Sequence, residues 1–300
     1  MRGLSFTIND AYVMPSKVLW HSLMKTESVP TGTPVFISHE ATLTPPSIED
    51  LTAFIGRYGF EVSFVNISSR VPDQLPFSKD SHINRANFYR LYLASTLPKE
   101  IDSVVYLDVD AVVVRSIKEL FETELTLPIA AVDHLSPIEA LRLWGDKSGS
   151  YFHSGVLVID LDAWRSLDCE AMFAKILAKD RFRIHWADQC VLNIAFENNW
   201  QRLPVWFNVC GWVCKVIDSS RLDQEGRFLH FDGGEKPWKC ISRKNRALLW
   251  YEAYADAFGH AFDYQSIKRS IWRRIGSEAK RVSLFVVRKV KVFTREYFLS

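Results

Sequence analysis

Cysteine, glycine and long apolar runs are all scarce in this chain of 300 residues. It contains five cysteines and 13 glycines, which excludes disulfide-rich scaffolds and collagen-like proteins. No stretch approaches the roughly 20 apolar residues that span a bilayer, and the first residues lack the apolar core of a signal peptide. These absences predict a chain that resides in the cytoplasm.

The cysteines themselves show little pattern. Their number is odd, and no two have the C-x-x-C spacing of redox proteins. Cys210 and Cys214 are separated by three residues. Such a lone pair is a weak indication of zinc, because structural zinc usually takes four ligands. We therefore interpret all five cysteines as reduced, mostly structural thiols.

The composition is that of a folded protein, with 48% hydrophobic and 24% charged residues. That much apolar surface excludes intrinsic disorder as the main state. The predicted strands cover residues 3–8, 34–38, 61–67, 103–107 and 155–159. One predicted helix begins at Pro15. The other predicted helices cover 47–58, with Ser47 as N-cap, 83–95, 168–179 and 186–198. This alternation predicts an α/β fold, with a mixed, mostly parallel, Rossmann-like sheet flanked by helices.

Charge is distributed unevenly, with a basic C-terminal segment following a mildly acidic body. Residues 263–300 carry ten Lys or Arg and three acids, a net charge of +7, whereas residues 1–262 carry −5. Apolar residues from Ile267 to Tyr297 recur there at helical spacing, with Trp272 beside them. The pattern is typical of a helix on an anionic membrane surface, and equally of a terminal helix that packs on its own domain.

This charge pattern divides the chain into a domain of residues 1–262 and a basic amphipathic tail of residues 263–300. Nucleic acid is not the partner we expect, since no aromatic–basic platform or known nucleic-acid-binding motif accompanies the charge. An anionic membrane surface remains a possible partner of the tail.

Two aspartates interrupt an otherwise apolar run. The segment Ser103–Val114 reads SVVYLDVDAVVV and places Asp108 and Asp110 two positions apart. Burying two like charges so close together is costly unless a cation pairs with them. Carboxylate oxygens suit Mg²⁺ or Mn²⁺, so the pair predicts a metal site at the end of a strand, where α/β sheets bind ligands. A plain turn between two strands is the alternative interpretation.

Five segments, in the same order, resemble glycosyltransferase family 8, the retaining transferases with a GT-A fold. They cover about residues 4–240, and bacterial lipopolysaccharide glucosyl- and galactosyltransferases are the most similar branch. Besides the aspartate pair, the segments are Asn84–Tyr92 (NRANFYRLY), Tyr151–Trp164 (YFHSGVLVIDLDAW), Ala187–Asn193 (ADQCVLN) and His230–Trp238 (HFDGGEKPW).

The resemblance implies that Asp108, Asp110 and His230 hold Mn²⁺, or alternatively Mg²⁺, against the diphosphate of a UDP-sugar. It implies contacts to this donor from Asn9, Asp10, Tyr12, Arg90, Asp108, His153, Gly155, Gly233 and Lys236. It also implies that Asp188, Gln189 and Asp133 lie near the reacting sugar or the acceptor. In the family the acceptor hydroxyl is thought to attack on the face from which the diphosphate leaves. A double displacement would need a carboxylate beneath C1, and Asp188 is the nearest one in its motif.

Several residues depart from the family pattern. Asn9 and Ala11 stand where the first strand usually ends in an acid followed by a polar residue, and His153 stands in place of an Asn of the sugar pocket. Ala187 and Cys190 replace polar members of the segment before Asn193. These departures leave the nucleotide base, the sugar and the acceptor contacts open.

Taken together, the sequence predicts a metal-dependent retaining hexosyltransferase. Its donor would be a UDP-hexose carrying galactose or glucose, and its acceptor a glycan that we expect to be lipid-linked, reached from the inner membrane leaflet. A catalytically inactive protein of the same fold that binds nucleotide-sugars or acts as a scaffold is the alternative.

Overall fold

The computed structural model describes residues 1–72, 75, 85–145, 150–239 and 245–263. The predicted tail over 263–300 lies outside the described residues except for its first residue, and so do Asn84 and Cys240. Among the described helices, none is both long and apolar enough to cross a membrane.

The strands form one large sheet and one small sheet. Their bounds are β1 Arg2–Thr7, β2 Val35–His39, β3 Val62–Asn66, β4 Ser103–Leu107, β5 Ala111–Val113, β6 Ile129–Asp133, β7 Phe152–Asp160, β8 Gln201–Leu203 and β9 Phe228–His230. The large sheet has the order β3-β2-β1-β4-β7-β6-β8, in which β7 is antiparallel to both of its neighbours and the other pairs are parallel. The predicted mixed, mostly parallel sheet is therefore confirmed.

Helices flank the large sheet. The α-helices are α1 Val13–Lys25, α2 Pro45–Gly56, α3 Leu93–Thr96, α4 Glu119–Glu122, α5 Pro137–Trp144, α6 Leu161–Ser166, α7 Cys169–Lys179, α8 Ala187–Ala195, α9 Val213–Val216, α10 Ser219–Glu225 and α11 Asn245–Phe258. Short 3₁₀ helices cover Asp10–Tyr12, Arg85–Tyr92, Arg181–Arg183 and Val205–Phe207. Two apolar clusters pack around the sheet, and a third packs around Trp250 of α11.

Two helix predictions need correction. The helix predicted over 83–95 is a 3₁₀ helix up to Tyr92, followed by the single turn of α3. Residues 88–92 are all buried, so this segment lacks the polar face of an amphipathic α-helix. The helix predicted over 47–58 begins at Pro45, a residue suited to a first helical turn, with Thr44 in the N-cap position. Ser47, the predicted cap, instead donates its hydroxyl to Asp10.

The antiparallel strand β7 brings its first residues to the carboxyl end of β4. Leu107 pairs with Val156, and the amide of Asp108 donates to the carbonyl of Gly155 at 2.8 Å. In the small sheet, Ala111 pairs with His230. These two pairings place residues from distant parts of the sequence beside the two aspartates.

A buried asparagine attaches helix α8 to the start of β7. The amide of Phe152 donates to Asn193 Oδ1 at 2.8 Å, and Asn193 Nδ2 donates to the carbonyls of Phe152 and Gln189 at 2.9 and 2.8 Å. The side chain of Asn193 therefore satisfies the backbone N–H and C=O of Phe152, the first residue of β7. It also fixes the first turn of α8, which carries Asp188 and Gln189.

We predict that Asn193→Leu lowers the free energy of unfolding by roughly 2–4 kcal/mol, because the buried N–H and C=O of Phe152 lose their partner. Urea unfolding of the purified protein measures this loss. Asn199→Leu, at an exposed position nearby, is the matched control and should change stability by about 0.5 kcal/mol or less. An Asn193→Leu protein that unfolds at the wild-type urea concentration would contradict this role.

Candidate active site

A cleft of about 480 Å³ opens where the carboxyl end of β4 meets β7 and β9. Most residues singled out from the sequence line it: Tyr12, Arg90, Asp108, Asp110, His153, Asp188, Gln189, His230, Gly233 and Lys236. A smaller adjoining pocket of about 70 Å³ is lined by Asn9 together with Thr7, Ile8 and the two aspartates. The fold thus gathers the five family segments, together with Tyr12 from the N-terminal part of the chain, around one cavity.

Asp110 lies between His230 and Lys236. His230 Nε2 is 2.9 Å from Asp110 Oδ1, and the ammonium of Lys236 forms an ion pair with Asp110 Oδ2. Burial by itself would raise the pKa of Asp110, but Lys236 and His230 outweigh it and hold that pKa well below its usual range. The carboxylate is therefore ionised at neutral pH.

His230 is oriented by a buried amide. Its Nδ1 is 3.0 Å from Asn208 Oδ1, an acceptor, so Nδ1 carries a proton and Nε2 faces the aspartates. Burial lowers the pKa of His230, yet the carboxylates of Asp110 and Asp108 reverse that effect and raise it overall. Asn208 is fully buried and carries no recognisable family signature, so the sequence reasoning did not identify it.

Arg90 joins Asp108 to Asp188. Its Nη2 donates to Asp108 Oδ1 at 2.8 Å, and its Nε lies 3.1 Å from Asp188 Oδ2. The guanidinium also lies 4.3 Å from the ring centroid of Tyr106, whose hydroxyl donates to Asp108 Oδ1 at 3.0 Å. Burial lowers the pKa of Arg90, but the two carboxylates raise it further than burial lowers it. Burial raises the pKa of Asp188 to about 6 despite the nearby guanidinium.

Gln189 and His153 make backbone contacts at the start of β7. Gln189 Oε1 accepts the amide of Ser154 at 3.0 Å, and its Nε2 donates to the Tyr151 hydroxyl at 3.0 Å. His153 Nδ1 accepts the amide of Gly155 at 3.0 Å, so its proton resides on Nε2. Burial, together with His230, holds the pKa of His153 well below its usual value. This imidazole is therefore neutral at pH 7.

Four predicted site residues do not line this cleft: Asn9, which lines the smaller pocket, Gly155, and two aspartates. Asp10 accepts hydrogen bonds from Thr44 and Ser47 at the start of α2. The carboxylate of Asp133 accepts the amide of Leu135 at 2.9 Å and lies 3.5 Å from Arg202 Nε. Asp133 thus makes the local bond to backbone that short polar side chains commonly form, whereas Asp10 links two distant parts of the chain. The neighbouring His134 lines the cleft instead.

Gly155 packs behind the aspartates. A Cβ at this position would lie 2.3 Å from His230 Cε1 and 3.0 Å from Asp108 Oδ2. A side chain on β7 at this point would therefore displace the histidine. The close approach of His230 therefore requires glycine here, and a contact of Gly155 with the donor stays a prediction.

The side chains of Asp108, Asp110 and His230 fit a divalent cation. Each offers one ligand atom, and these atoms lie within 4.8 Å of one another. Two carboxylates and one imidazole form a predominantly hard donor set that suits Mn²⁺ or Mg²⁺. The described part of the chain contains a second group whose ligand atoms lie within the same distance of one another. It consists of His134, His153, Cys210 and Asp232.

Residues 3–242 match the family model for glycosyl transferase family 8. The chain belongs to glycosyl transferase family 8. Glycosyltransferase GlyF of Streptococcus pneumoniae serotype 4 is 29% identical over 212 residues, 68% of this chain and 50% of GlyF. Lipopolysaccharide 1,2-glucosyltransferase of Escherichia coli is 28% identical over 205 residues, 64% of this chain and 60% of that protein. The chain thus spans about half of the first relative's length and three-fifths of the second's.

The fold is also that of solved members of this group. The crystal structure of galactosyltransferase LgtC with donor and acceptor sugar analogues has a TM-score of 0.75 to this chain at 19% identity, covering 89% of this chain and 100% of LgtC. The predicted family and the predicted GT-A fold are both confirmed.

We predict that Gly155→Ala lowers the free energy of unfolding by about 1–3 kcal/mol, because the added methyl group overpacks the site against His230. Thermal and urea unfolding measure the change. Gly56→Ala is the matched control: a Cβ there meets nothing within 4 Å, and the position ends helix α2. The control should retain or slightly increase stability, because alanine is the better helix former. Equal stability of the two variants would contradict the packing role.

Proposed function

We propose that this chain transfers a hexose from a UDP-sugar to a glycan acceptor with retention of configuration. The reaction would require a divalent cation, preferably Mn²⁺. The observation that carries the proposal is the convergence of two carboxylates, an oriented imidazole and a buried ammonium in one cleft. A nucleoside diphosphate is a polyanion, and negative charge builds up on it as it leaves the sugar. Groups that stabilise this charge, such as those of the cleft, therefore promote its departure.

The residues divide into three regions along the cleft. Asn9 and Tyr12 lie at the end that would receive the nucleoside. Asp108, Asp110 and His230 would hold the cation, which when bound acts as a Lewis acid on the diphosphate. Lys236 and the Gly233 turn would face the phosphates. Lys236 is already held in place through Asp110 and the carbonyl of Phe231, 2.7 Å from its ammonium.

The sugar would lie toward Asp188 and His153. Asp188 is fixed by Arg90 and can accept hydrogen bonds from sugar hydroxyls, whereas His153 presents Nε2–H as a donor. The carboxamide of Gln189 has its oxygen and nitrogen bound to Ser154 and Tyr151, which supports a positioning role. We favour substitution on one face: the acceptor oxygen bonds to C1 as the bond from C1 to the phosphate oxygen breaks. The hydroxyl proton then passes to the departing phosphate.

The identity of the sugar and the acceptor is the finer part of the proposal. The E. coli relative is named for glucose transfer to lipopolysaccharide, which supports glucose as a donor sugar to test alongside galactose. A lipid-linked acceptor would agree with a tail that contacts an anionic membrane. Residues 1–262 would then form the catalytic domain.

We predict that Asp110→Asn weakens Mn²⁺-dependent binding of the UDP-sugar at least tenfold and lowers UDP release at least a hundredfold, because the cleft loses a ligand and the partner of Lys236. Calorimetry with a panel of UDP-hexoses, in Mn²⁺ and in EDTA, measures the binding. A UDP-release assay measures the turnover. Asp162→Asn, at an exposed carboxylate paired with Arg165, is the control and should leave both unchanged.

The same experiment tests the alternative. Wild-type protein that binds a UDP-hexose but never releases UDP, with water or with any glycan acceptor, would favour the inactive binding protein. Binding that is insensitive to EDTA would contradict the metal-dependent site. An absence of binding to every UDP-hexose would move the search to other nucleotides.

We further predict that the tail attaches the protein to anionic membranes. Replacing Lys268, Arg269, Arg273 and Arg274 by Gln in the full chain should lower binding to phosphatidylserine vesicles at least tenfold, since each basic residue near such a surface contributes about 1 kcal/mol. Vesicle sedimentation measures this. The control replaces four exposed basic residues of the body, Arg57, Lys99, Lys118 and Arg221, and should retain binding. Equal loss of vesicle binding in both variants would contradict a specific role of the tail, because it would indicate nonspecific attraction between the whole protein and the membrane.

A further inference from the structure

A second group of ligating side chains lies beside the first. His134, His153, Cys210 and Asp232 each offer one ligand atom, and these atoms lie within 4.8 Å of one another. A tetrahedral zinc ion with ligand distances of about 2.0–2.3 Å separates its ligand atoms by roughly 3.3–3.8 Å. The 4.8 Å limit exceeds this separation by about 1.0–1.5 Å, so cation binding would draw the side chains together.

The chemistry of this group differs from that of the first. Asp108, Asp110 and His230 offer mainly carboxylate oxygens, whereas the second group combines a thiol, imidazoles and a single carboxylate. Sulfur and imidazole ligands favour borderline ions such as Zn²⁺ or Co²⁺ over Mn²⁺ and Mg²⁺. The two groups would therefore select different cations from the same solution.

Backbone groups orient two of these side chains. The amide of Gly211 donates to Asp232 Oδ1 at 2.7 Å, which leaves Oδ2 available. The sulfur of Cys210 faces the backbone N–H groups of Trp212 and Val213; burial raises the pKa of this thiol to about 12, and the two amides act in the opposite direction. Amides directed at sulfur stabilise the thiolate form that a metal ion binds.

His134 supplies an unsatisfied nitrogen. Its Nδ1 is buried and has no hydrogen-bond partner among the described residues. A buried nitrogen without a partner costs free energy that a ligand would recover. His153 differs, because the lone pair of its Nδ1 already accepts the amide of Gly155. The ligands with unused lone pairs are therefore His134, Cys210 and Asp232.

We propose that His134, Cys210 and Asp232 form a second divalent-cation site that takes zinc-like ions. Cation binding forms a bond to the Cys210 sulfur and releases the thiol proton to solvent. His134 and Asp232 line the same cleft as Asp188 and His230. An ion there would occupy space that the sugar or the acceptor needs, so the site would inhibit transfer; this last consequence alone rests on the proposed function.

Cobalt spectroscopy of the full chain tests the site without any assay of activity. Co²⁺ bound to a thiolate gives a near-ultraviolet charge-transfer band, and a tetrahedral site gives strong visible bands. We expect both in the wild-type protein. Cys210→Ser should abolish the charge-transfer band, whereas Cys214→Ser should retain it, although Cys214 is the more exposed thiol.

Three further variants complete the test. His134→Asn should weaken cobalt binding at least tenfold, since loss of even an outer-shell partner costs about 10–100-fold; His185→Asn, an exposed histidine, is its control. Asp110→Asn should leave the charge-transfer band unchanged, because the first group contains no sulfur. The proposal is overturned if the wild type shows no such band, if the band survives Cys210→Ser, or if His134→Asn binds cobalt normally.

Inhibition is then measured separately. With Mn²⁺ and a UDP-hexose in excess, micromolar Zn²⁺ should slow UDP release by the wild type at least tenfold more than by Cys210→Ser. A cobalt site that forms without such a difference would overturn the inhibitory role while leaving the cation site intact. A protein that shows the cobalt bands but binds no UDP-sugar would overturn the proposed function instead.

Discussion

The structure of the site depends on how the protein compensates the negative charges of two neighbouring carboxylates. Asp108 and Asp110 lie at the end of a buried strand, where an isolated ionised carboxylate would cost several kcal/mol. Three basic side chains offset that cost: Arg90 for Asp108, and His230 and Lys236 for Asp110. His230 and Lys236 share one segment that is distant from Asp110 along the chain, so the charges can be compensated only when the fold is complete.

The partners are themselves held by buried polar groups. Asn208 sets the proton of His230, Asp188 binds Arg90, and the carbonyl of Phe231 binds Lys236. Such a network is rigid because removing one member leaves another buried group without its partner. A rigid, charged cleft has little to reorganise when a polyanionic donor enters, and this is the property that electrostatic catalysis requires.

A second feature of the site is that two groups of ligating side chains pack closely together near β7. Gly155 separates His230 from the backbone of β7, and the ring centroid of His153 lies 5.0 Å from that of His230. His134, Asp232 and His230 all line the cleft, so the two groups of ligating side chains lie side by side. The first group offers mainly oxygen atoms, whereas the second includes the sulfur of Cys210.

The sequence alone determined the α/β alternation, the aspartate pair within an apolar run, and the family, since these depend on local pattern and on motifs in order. It did not reveal the 3₁₀ winding before Tyr92, because uniform burial removes the periodicity on which the helix prediction relies. Nor did it reveal that Asp10 binds the start of α2 or that Asp133 binds the amide of Leu135. Asn208, His134 and Asp232 became recognisable only when β7 and β9 folded back on β4 and β5. Tertiary structure decided these contacts, because partners that are distant along the chain meet only through strand pairing.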